Sequence, residues 1–258
     1  MPEEQVILKN FGYCPICREE TIFKATHAWL RDSYLCLRCH SIPRERALMR
    51  VLDQFYPEWA DCVIHETSPS TRGASSRLKK ECSSYIPSQF FPDVPSGAKK
   101  DGIVCENLEN LTFPDGSIDL HISQDVMEHV FHPLQAFKEI ARTLKPGGAH
   151  IFTVPIVKKC NPTVCRAQHG DGGVITFLQE AVHHGCPIND SGSLVTFDWG
   201  YDIVEHIWAA TGLPTYIIQI DDLHNGIRAE YIDVFVTKKP HGVSPATSRL
   251  NGNSDHGT

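Results

Sequence analysis

Nowhere in the 258 residues does an uninterrupted apolar run approach the ~20 residues that a membrane-spanning helix needs. The opening residues, MPEEQVILKN, lack the basic-then-apolar order of a secretion signal, so a cytoplasmic protein is the expectation. There is no excess of positive charge either. The formal net charge of −7 argues against a broad phosphate-binding surface, because nucleic-acid affinity rests on clustered Lys and Arg. Glycine is scarce in one telling place. CVIHETSPSTRGASSRL, Cys62 to Leu78, reads as a buried strand, a polar loop and then a helix, where a nucleotide-type cofactor often sits, yet the usual run of glycines is missing. Nothing in the sequence sets an oligomeric state.

Cysteine, by contrast, is plentiful. Of the ten, four fall into two close pairs, CPIC and CLRC, which place Cys14, Cys17, Cys36 and Cys39 as C-x2-C-x18-C-x2-C. Two residues between cysteines let a tight turn aim both sulfurs at one ion, and two such turns complete the tetrahedral thiolate site that zinc prefers. Four protein ligands leave no open position, so this zinc is expected to be structural. His40 adjoins Cys39 and reads as a bystander. A ribbon of this kind either supports the fold or grips a partner; residues 1–60 carry eight Lys+Arg against eight Asp+Glu, and that even balance weakens a nucleic-acid role. The other six cysteines, Cys62, Cys82, Cys105, Cys160, Cys165 and Cys186, read as reduced thiols, many of them small buried apolar residues.

The ribbon is expected over 1–42. It is followed by a linking helix over 43–60, in which Leu48, Val51, Leu52 and Phe55 recur at helical spacing. From Cys62 onward strand-like and helix-like segments alternate, which predicts an α/β fold with helices on both faces of a largely parallel, doubly wound sheet. SIDLHIS is a strand. PLQAFKEIARTLKPGG predicts a helix with Leu134, Phe137, Ile140, Ala141 and Leu144 on one face and a stop at Gly147, and AHIFTVP is the next strand. YDIVEHIWAATG predicts another helix, and TYIIQI and YIDVFVTKK two final strands. This main domain spans 61–239, with a long insertion over 156–200, and the polar remainder, 240–258, is expected to be a disordered tail.

The segment CENLENLTFPDGSIDLHISQDVMEHVFHPLQAFKEIARTLKPGGAHIFTVP resembles the core of class I S-adenosylmethionine-dependent methyltransferases, in particular the type-11 group related to ubiquinone-biosynthesis methyltransferases. The order is the same: an acidic and a small residue, FPDGS, a strand, EHV, a helix and LKPGG. The resemblance implies a Rossmann-like methyltransferase fold with seven strands, the last antiparallel, and S-adenosylmethionine as cofactor. It implies cofactor contacts at successive strand ends. These are Glu66, Ser68 and Pro69 after the first strand, Ser88 and Gln89 after the second, Asn107 and Leu108 at the adenine, and Ser123, Gln124 and Asp125 near the sulfonium. The missing glycines speak more against a dinucleotide, whose pyrophosphate needs close backbone, than against a methyl donor that has no phosphate. Each site has a plainer reading beside it: Asn107 as a turn cap, Asp125 as the N-cap of a helix VMEHV, His129 as a packing residue.

Methyl transfer from a sulfonium is an in-line displacement in which the enzyme contributes mainly positioning, worth up to ~7–11 kcal/mol. A hydroxyl acceptor also needs a base. The insertion supplies candidates in HHGCP and GSLVTFDWGYD, namely His183, His184, Asp198, Trp199 and Tyr201, with His184 favoured as base because Gly185 leaves room beside it. Catalytic candidates are thus His184, His129 and Asp125. Cys160, Cys165 and His169 do not make a complete metal set. Segments such as IPRERAL and HG-P look similar to those of bacterial zinc-ribbon methyltransferases associated with sugar or surface-polysaccharide modification, so a small-molecule or glycan hydroxyl is the leading acceptor. Two other readings stay open: an RNA or protein methyltransferase with the ribbon as reader, and a non-catalytic binding protein of the same fold.

Overall fold

The computed structural model describes residues 5–170, 174–186 and 189–241. Residues 242–258, most of the expected tail, lie outside them.

The N-terminal module is a small antiparallel sheet of β1 (Leu8–Cys14), β2 (Glu19–Ala25) and β3 (Leu35–Cys36), with the short helix α1 (Leu30–Ser33) before β3. Helix α2 (Pro43–Phe55) follows. Pro43 suits its first turn, and the Glu45 carboxylate accepts the free Ile42 N–H at 2.9 Å, which caps the start. Its buried stripe is Ala47, Leu48, Val51 and Leu52. Phe55, expected on that stripe, is the helix's last residue and projects into solvent.

The main sheet is built from β4 (Val63–Thr67), β5 (Ser84–Gln89), β6 (Lys99–Lys100), β7 (Ile103–Cys105), β8 (Ile118–Gln124), β9 (Leu144–Thr153), β16 (Thr215–Ile218) and β17 (Val234–Lys238). Helix α3 (Gly73–Glu81) joins β4 to β5, α4 (Pro133–Thr143) joins β8 to β9, and α5 (Ile203–Thr211) precedes β16. Strand order is β16-β17-β9-β8-β4-β5-β7-β6. The chain winds outward from β4 through β5 to β7, then restarts on the other side with β8 and β9, so order reverses between β4 and β8. β17 runs antiparallel to β9, as the resemblance implies. The sheet has eight strands rather than seven, because the two-residue β6 adds an antiparallel edge beside β7.

The expected helix ending at Gly147 stops earlier, at Thr143. Pro146 disfavours the helical region for Lys145 and offers no N–H, and Leu144 already opens β9 with ψ of 135°. The buried face is Ala136, Phe137, Ile140 and Thr143, and Leu134 in the first turn is exposed. VMEHV forms turns rather than a helix, and Asp125 before it adopts a left-handed φ of 53°. The described residues of 156–200 form three short antiparallel strand pairs: β10 (Val164–Cys165) with β15 (Phe197–Asp198), β11 (Ala167–His169) with β12 (Ile175–Phe177), and β13 (His183–Cys186) with β14 (Asn189–Leu194).

One sheet face packs with the cysteine module. Phe23, Tyr34, Leu48 and Leu52 share a single buried cluster with Ile64, Leu78, Ile122 and Val234. On the other face Phe137, Phe152, Trp199, Ile207 and Phe235 form a second cluster. That second face also holds three fully buried histidines in register, His65, His121 and His150 on neighbouring strands. His65 Nδ1 meets His121 Nδ1 at 2.8 Å, His65 Nε2 meets Ser88 Oγ at 2.7 Å, and His121 Nε2 meets Thr143 Oγ1 at 2.8 Å. Thr143 gives its own proton to the Glu139 carbonyl at 2.9 Å, so it must accept from His121. The directions then follow for neutral rings: Ser88 donates to His65, His65 to His121, and His121 to Thr143. Burial holds the pKa of His65 and His150 down to about 3, and that of His121 well below its usual value.

Candidate active site

In an open α/β sheet, ligands sit beyond the C-terminal strand ends where strand order reverses. Here those ends are aligned by register: Thr67 lies opposite Ser88 and Ser123, Gln89 opposite Cys105, and Gln124 opposite Thr153. The first loop is tied to its neighbour, since Ser68 has φ of 53° and donates its N–H to the Ser88 carbonyl at 2.8 Å. Pro69 follows, and Ser70 N–H is held by Ser75 Oγ at 3.0 Å. Glu66 is buried beneath this loop and accepts from Ser75 Oγ at 2.6 Å, Tyr85 OH at 2.6 Å and Gln124 Nε2 at 3.2 Å. Burial raises its pKa in spite of those bonds.

Other cofactor candidates divide clearly. Gln89 is half-buried at the edge. Ser88 is fully buried and spends its hydroxyl on His65. Asn107 caps its own turn, its amide oxygen accepting the Glu109 N–H at 2.9 Å, while Leu108 packs into the second core cluster. Ser123 Oγ meets His150 Nε2 at 3.0 Å in the interior. Gln124 keeps a buried Oε1 without a hydrogen-bond partner among the described residues, so it has an acceptor to offer at this edge.

Asp125 is where the cysteine module reaches the site. Arg31 of α1 donates to its Oδ2 at 2.5 Å, Arg44 of α2 donates to the same oxygen, and Thr153 Oγ1 donates to Oδ1 at 3.0 Å. Burial pushes the Asp125 carboxyl up, but the two guanidinium groups outweigh it and hold its pKa below the usual range. Neither arginine was singled out from the sequence. One signal was present: Arg44 sits in the first turn of a helix, where the macrodipole disfavours a cation, so its charge has to be answered elsewhere.

Immediately after Asp125, the insertion folds back. Thr196 N–H donates to the Glu128 carbonyl at 2.7 Å, and Trp199 Nε1 to the Met127 carbonyl at 3.2 Å. Trp199 is therefore a core residue, Tyr201 donates to Asp233 at 2.9 Å, and Asp198 pairs with Arg166 at 2.7 Å. What the fold-back does bring together is Glu128, His129 and His184. Glu128 Oε1 lies 3.7 Å from both His129 Nε2 and His184 Nδ1, and the two imidazoles meet edge to face at 5.2 Å. The Glu128 carboxylate raises the His184 pKa against the opposing effect of burial. A pair of this kind can accept a proton near neutral pH. Cys160, Cys165 and His169 do not form a cluster among the described residues.

At the other end of the chain, the sulfurs of Cys14, Cys17, Cys36 and Cys39 lie within 4.8 Å of one another, with Cys14–Cys39 at 3.6 Å and Cys17–Cys36 at 3.9 Å. Zinc–sulfur bonds of ~2.3 Å at tetrahedral angles separate sulfurs by about 3.8 Å, so the spacing fits one ion. The donor set has a counter-charge as well. Arg46 is fully buried and donates to the carbonyls of Tyr34 at 2.7 Å and Gly226 at 2.6 Å. Burial lowers its pKa to about 10, while the neighbouring thiolates pull the other way, so it stays cationic at neutral pH.

Residues 84–152, from β5 to near the end of β9, match the family model described as a methyltransferase domain. A solved S-adenosylmethionine-dependent methyltransferase from Mesorhizobium loti is 15% identical, covering 75% of this chain and 97% of that one with a TM-score of 0.48. A Burkholderia thailandensis 1,6-didemethyltoxoflavin-N1-methyltransferase is 9% identical, covering 76% and 78% with a TM-score of 0.45. A Pyrococcus horikoshii protein is 14% identical, covering 76% and 89% with a TM-score of 0.46. No curated protein sequence matches the chain. The segment from β5 to β9, set in a sheet whose order reverses between β4 and β8, is thus similar to a methyltransferase domain.

Proposed function

We propose that the chain moves the methyl group of S-adenosylmethionine onto a hydroxyl of a small molecule or a sugar. The observation that carries this reading is the Glu128–His184 pair, which sets a proton acceptor, drawn from the insertion, four residues beyond the end of β8. An amine acceptor has a lone pair ready at the sulfonium carbon once deprotonated in solution, whereas a hydroxyl needs its proton taken as the carbon–oxygen bond forms. His184 takes that proton, with Glu128 stabilising the imidazolium and His129 packed beside it.

On the donor side, the loop Ser68–Pro69 and the side chains of Gln89, Asn107 and Gln124 are the groups that meet the cofactor, with Glu66 beneath them and Asp125 at the methyl end. Ser88 and Ser123 act from behind, as supports of the strand ends. Four cysteines hold a structural zinc, whose module delivers Arg31 and Arg44 to Asp125. The even charge of that module gives no support to nucleic acid as the acceptor.

Calorimetry with S-adenosylhomocysteine is the first test, with micromolar binding expected; no heat at high micromolar concentration would sink the enzymatic reading. The second is a panel of hydroxylated and aminated acceptors. His184→Ala is expected to abolish turnover on hydroxyl acceptors with product binding intact. Unchanged turnover in that variant would remove the base.

A further inference from the structure

We infer that Glu128, His129 and His184 form a binding site for a divalent transition-metal ion, separate from the four-cysteine cluster. The three residues offer two imidazole nitrogens and one carboxylate oxygen, a ligand set that zinc and its neighbours take while keeping positions open for solvent or substrate. Their donor atoms lie within 4.8 Å of one another, and both carboxylate-to-nitrogen distances are 3.7 Å. Two bonds of ~2.1 Å at a tetrahedral angle separate donor atoms by about 3.4 Å, so each carboxylate-to-nitrogen distance is within a few tenths of an ångström of that spacing.

Two further observations point to an ion rather than to a simple polar contact. Glu128 is 1% exposed, yet neither of its carboxylate oxygens has a hydrogen-bond partner among the described residues. A buried carboxylate without donors is costly, and at 3.7 Å the two histidines are too far to serve as donors. An ion between the three groups resolves that cost. The second observation is the tautomer of His129. Its Nδ1 lies 2.8 Å from the Leu194 carbonyl, so Nδ1 carries the hydrogen and the lone pair of Nε2 is turned toward Glu128. Metal-ligating histidines are commonly fixed in this way, by donating the far N–H to a carbonyl. Leu194 belongs to β14 and His184 to β13, so one hairpin supplies both a ligand and the support of another.

Binding does not rest on methyl transfer, but it bears on it. With an ion in place, His184 is a ligand, and an acceptor oxygen entering an open position would have its hydroxyl activated by the ion instead. Free base and metal ligand are thus exclusive uses of one side chain, and a metal titration separates them.

The test uses the full chain with one zinc already bound, dialysed against Co2+. One Co2+ is expected per chain, without the thiolate-to-cobalt absorption that occupation of the cysteine cluster would produce. His184→Ala, at a half-exposed position that tolerates truncation, and the near-isosteric Glu128→Gln are each expected to weaken retention at least ten-fold. Equal retention in parent and His184→Ala, no retention in the parent, or cobalt appearing only with the thiolate band would each overturn the site.

Discussion

Arg44, in the first turn of α2, donates to the carboxylate of Asp125 at the end of β8, 81 residues away in sequence. Arg31 donates to the same oxygen at 2.5 Å, so one anion of the main sheet gathers two cations of the cysteine module. The carboxylate is 13% exposed and Arg31 10%, so little water competes for them. Removing the shared anion should cost more than removing either cation, because it leaves two guanidinium groups facing each other.

Asp125→Asn is expected to destabilise the chain by about 3–5 kcal/mol, the range for breaking a buried pair from one side. Arg44→Ala, which leaves the Arg31 pair in place, should cost less, roughly 1.5–3 kcal/mol, the range for one hydrogen bond to a charged group. Urea unfolding of the two variants checks the order. Equal costs would mean that the two arginines do not share the load. Because Asp125 titrates below its ordinary value in the folded chain, its contribution is present above the usual carboxylate pKa and is lost as pH falls through the lower folded value.

The histidine row sets a second pH dependence, at milder acidity. Each ring is neutral in the fold, and a proton added to His121 would set two N–H groups against each other across 2.8 Å. The unfolded chain protonates these histidines near pH 6.5, whereas His65 and His150 do so in the fold only near about 3. Stability is therefore full above about pH 6.5 and is lost progressively from there toward pH 3, by roughly 1.4 kcal/mol per pH unit for each such histidine. Melting temperature is expected to be level from pH 7 to 8 and to drop steeply below pH 6. A level profile down to pH 4.5 would contradict the row.

Much of this was legible in the residues, and the reason differs from place to place. CPIC and CLRC announce a four-thiolate cluster because the spacing itself is the geometry. The order FPDGS, EHV, LKPGG fixes the middle of the sheet, and the polar strand ends mark the candidate site. What the sequence hid depends on long-range packing. Ser88 and Ser123 look like strand-end contacts until their side chains are seen to turn inward to His65 and His150. Trp199 looks like an acceptor platform, but Phe197 stacks on it and Phe137 meets it edge to face in the core. Arg31 and Arg44 read as ordinary surface charges in a balanced module, because their partner lies in a distant strand. Glu128 was passed over beside His129, since its burial depends on where the insertion folds back.

The loop that lacks glycines has one where it cannot be replaced. Gly73 opens α3 with φ of 59°, and a Cβ there would lie 2.2 Å from the Glu45 carboxyl. Glu45 is buried and holds the Ile42 N–H, so it cannot swing away without uncapping α2. Gly73→Ala is expected to cost at least ~2 kcal/mol through strain and the lost cap together. It should also weaken S-adenosylhomocysteine, since the Ser68–Ser70 turn leads straight into this residue. Thermal unfolding and calorimetry on the same preparation check both, and a variant as stable as the parent would show that the loop relaxes freely.

The same connection predicts that metal in the cysteine cluster is felt at the strand ends proposed to hold the methyl donor. With zinc removed, four thiols must share a buried space, and Arg46 loses the anionic partner for its buried charge. The module that this centre organises carries α1 and the start of α2, and hence Arg31 and Arg44. Without them Asp125 is a buried carboxylate with only Thr153, among the described residues, to donate to it. Chelation, or Cys36→Ser, is therefore expected to release one zinc per chain, to lower the melting temperature, and to weaken S-adenosylhomocysteine binding at least ten-fold. Arg44→Ala in the zinc-loaded chain should reproduce part of the loss in binding while keeping the zinc, which separates the route through Asp125 from general unfolding. If the zinc-free chain binds S-adenosylhomocysteine as tightly as the loaded one, the module and the cofactor edge are not coupled, and the arginines serve stability alone.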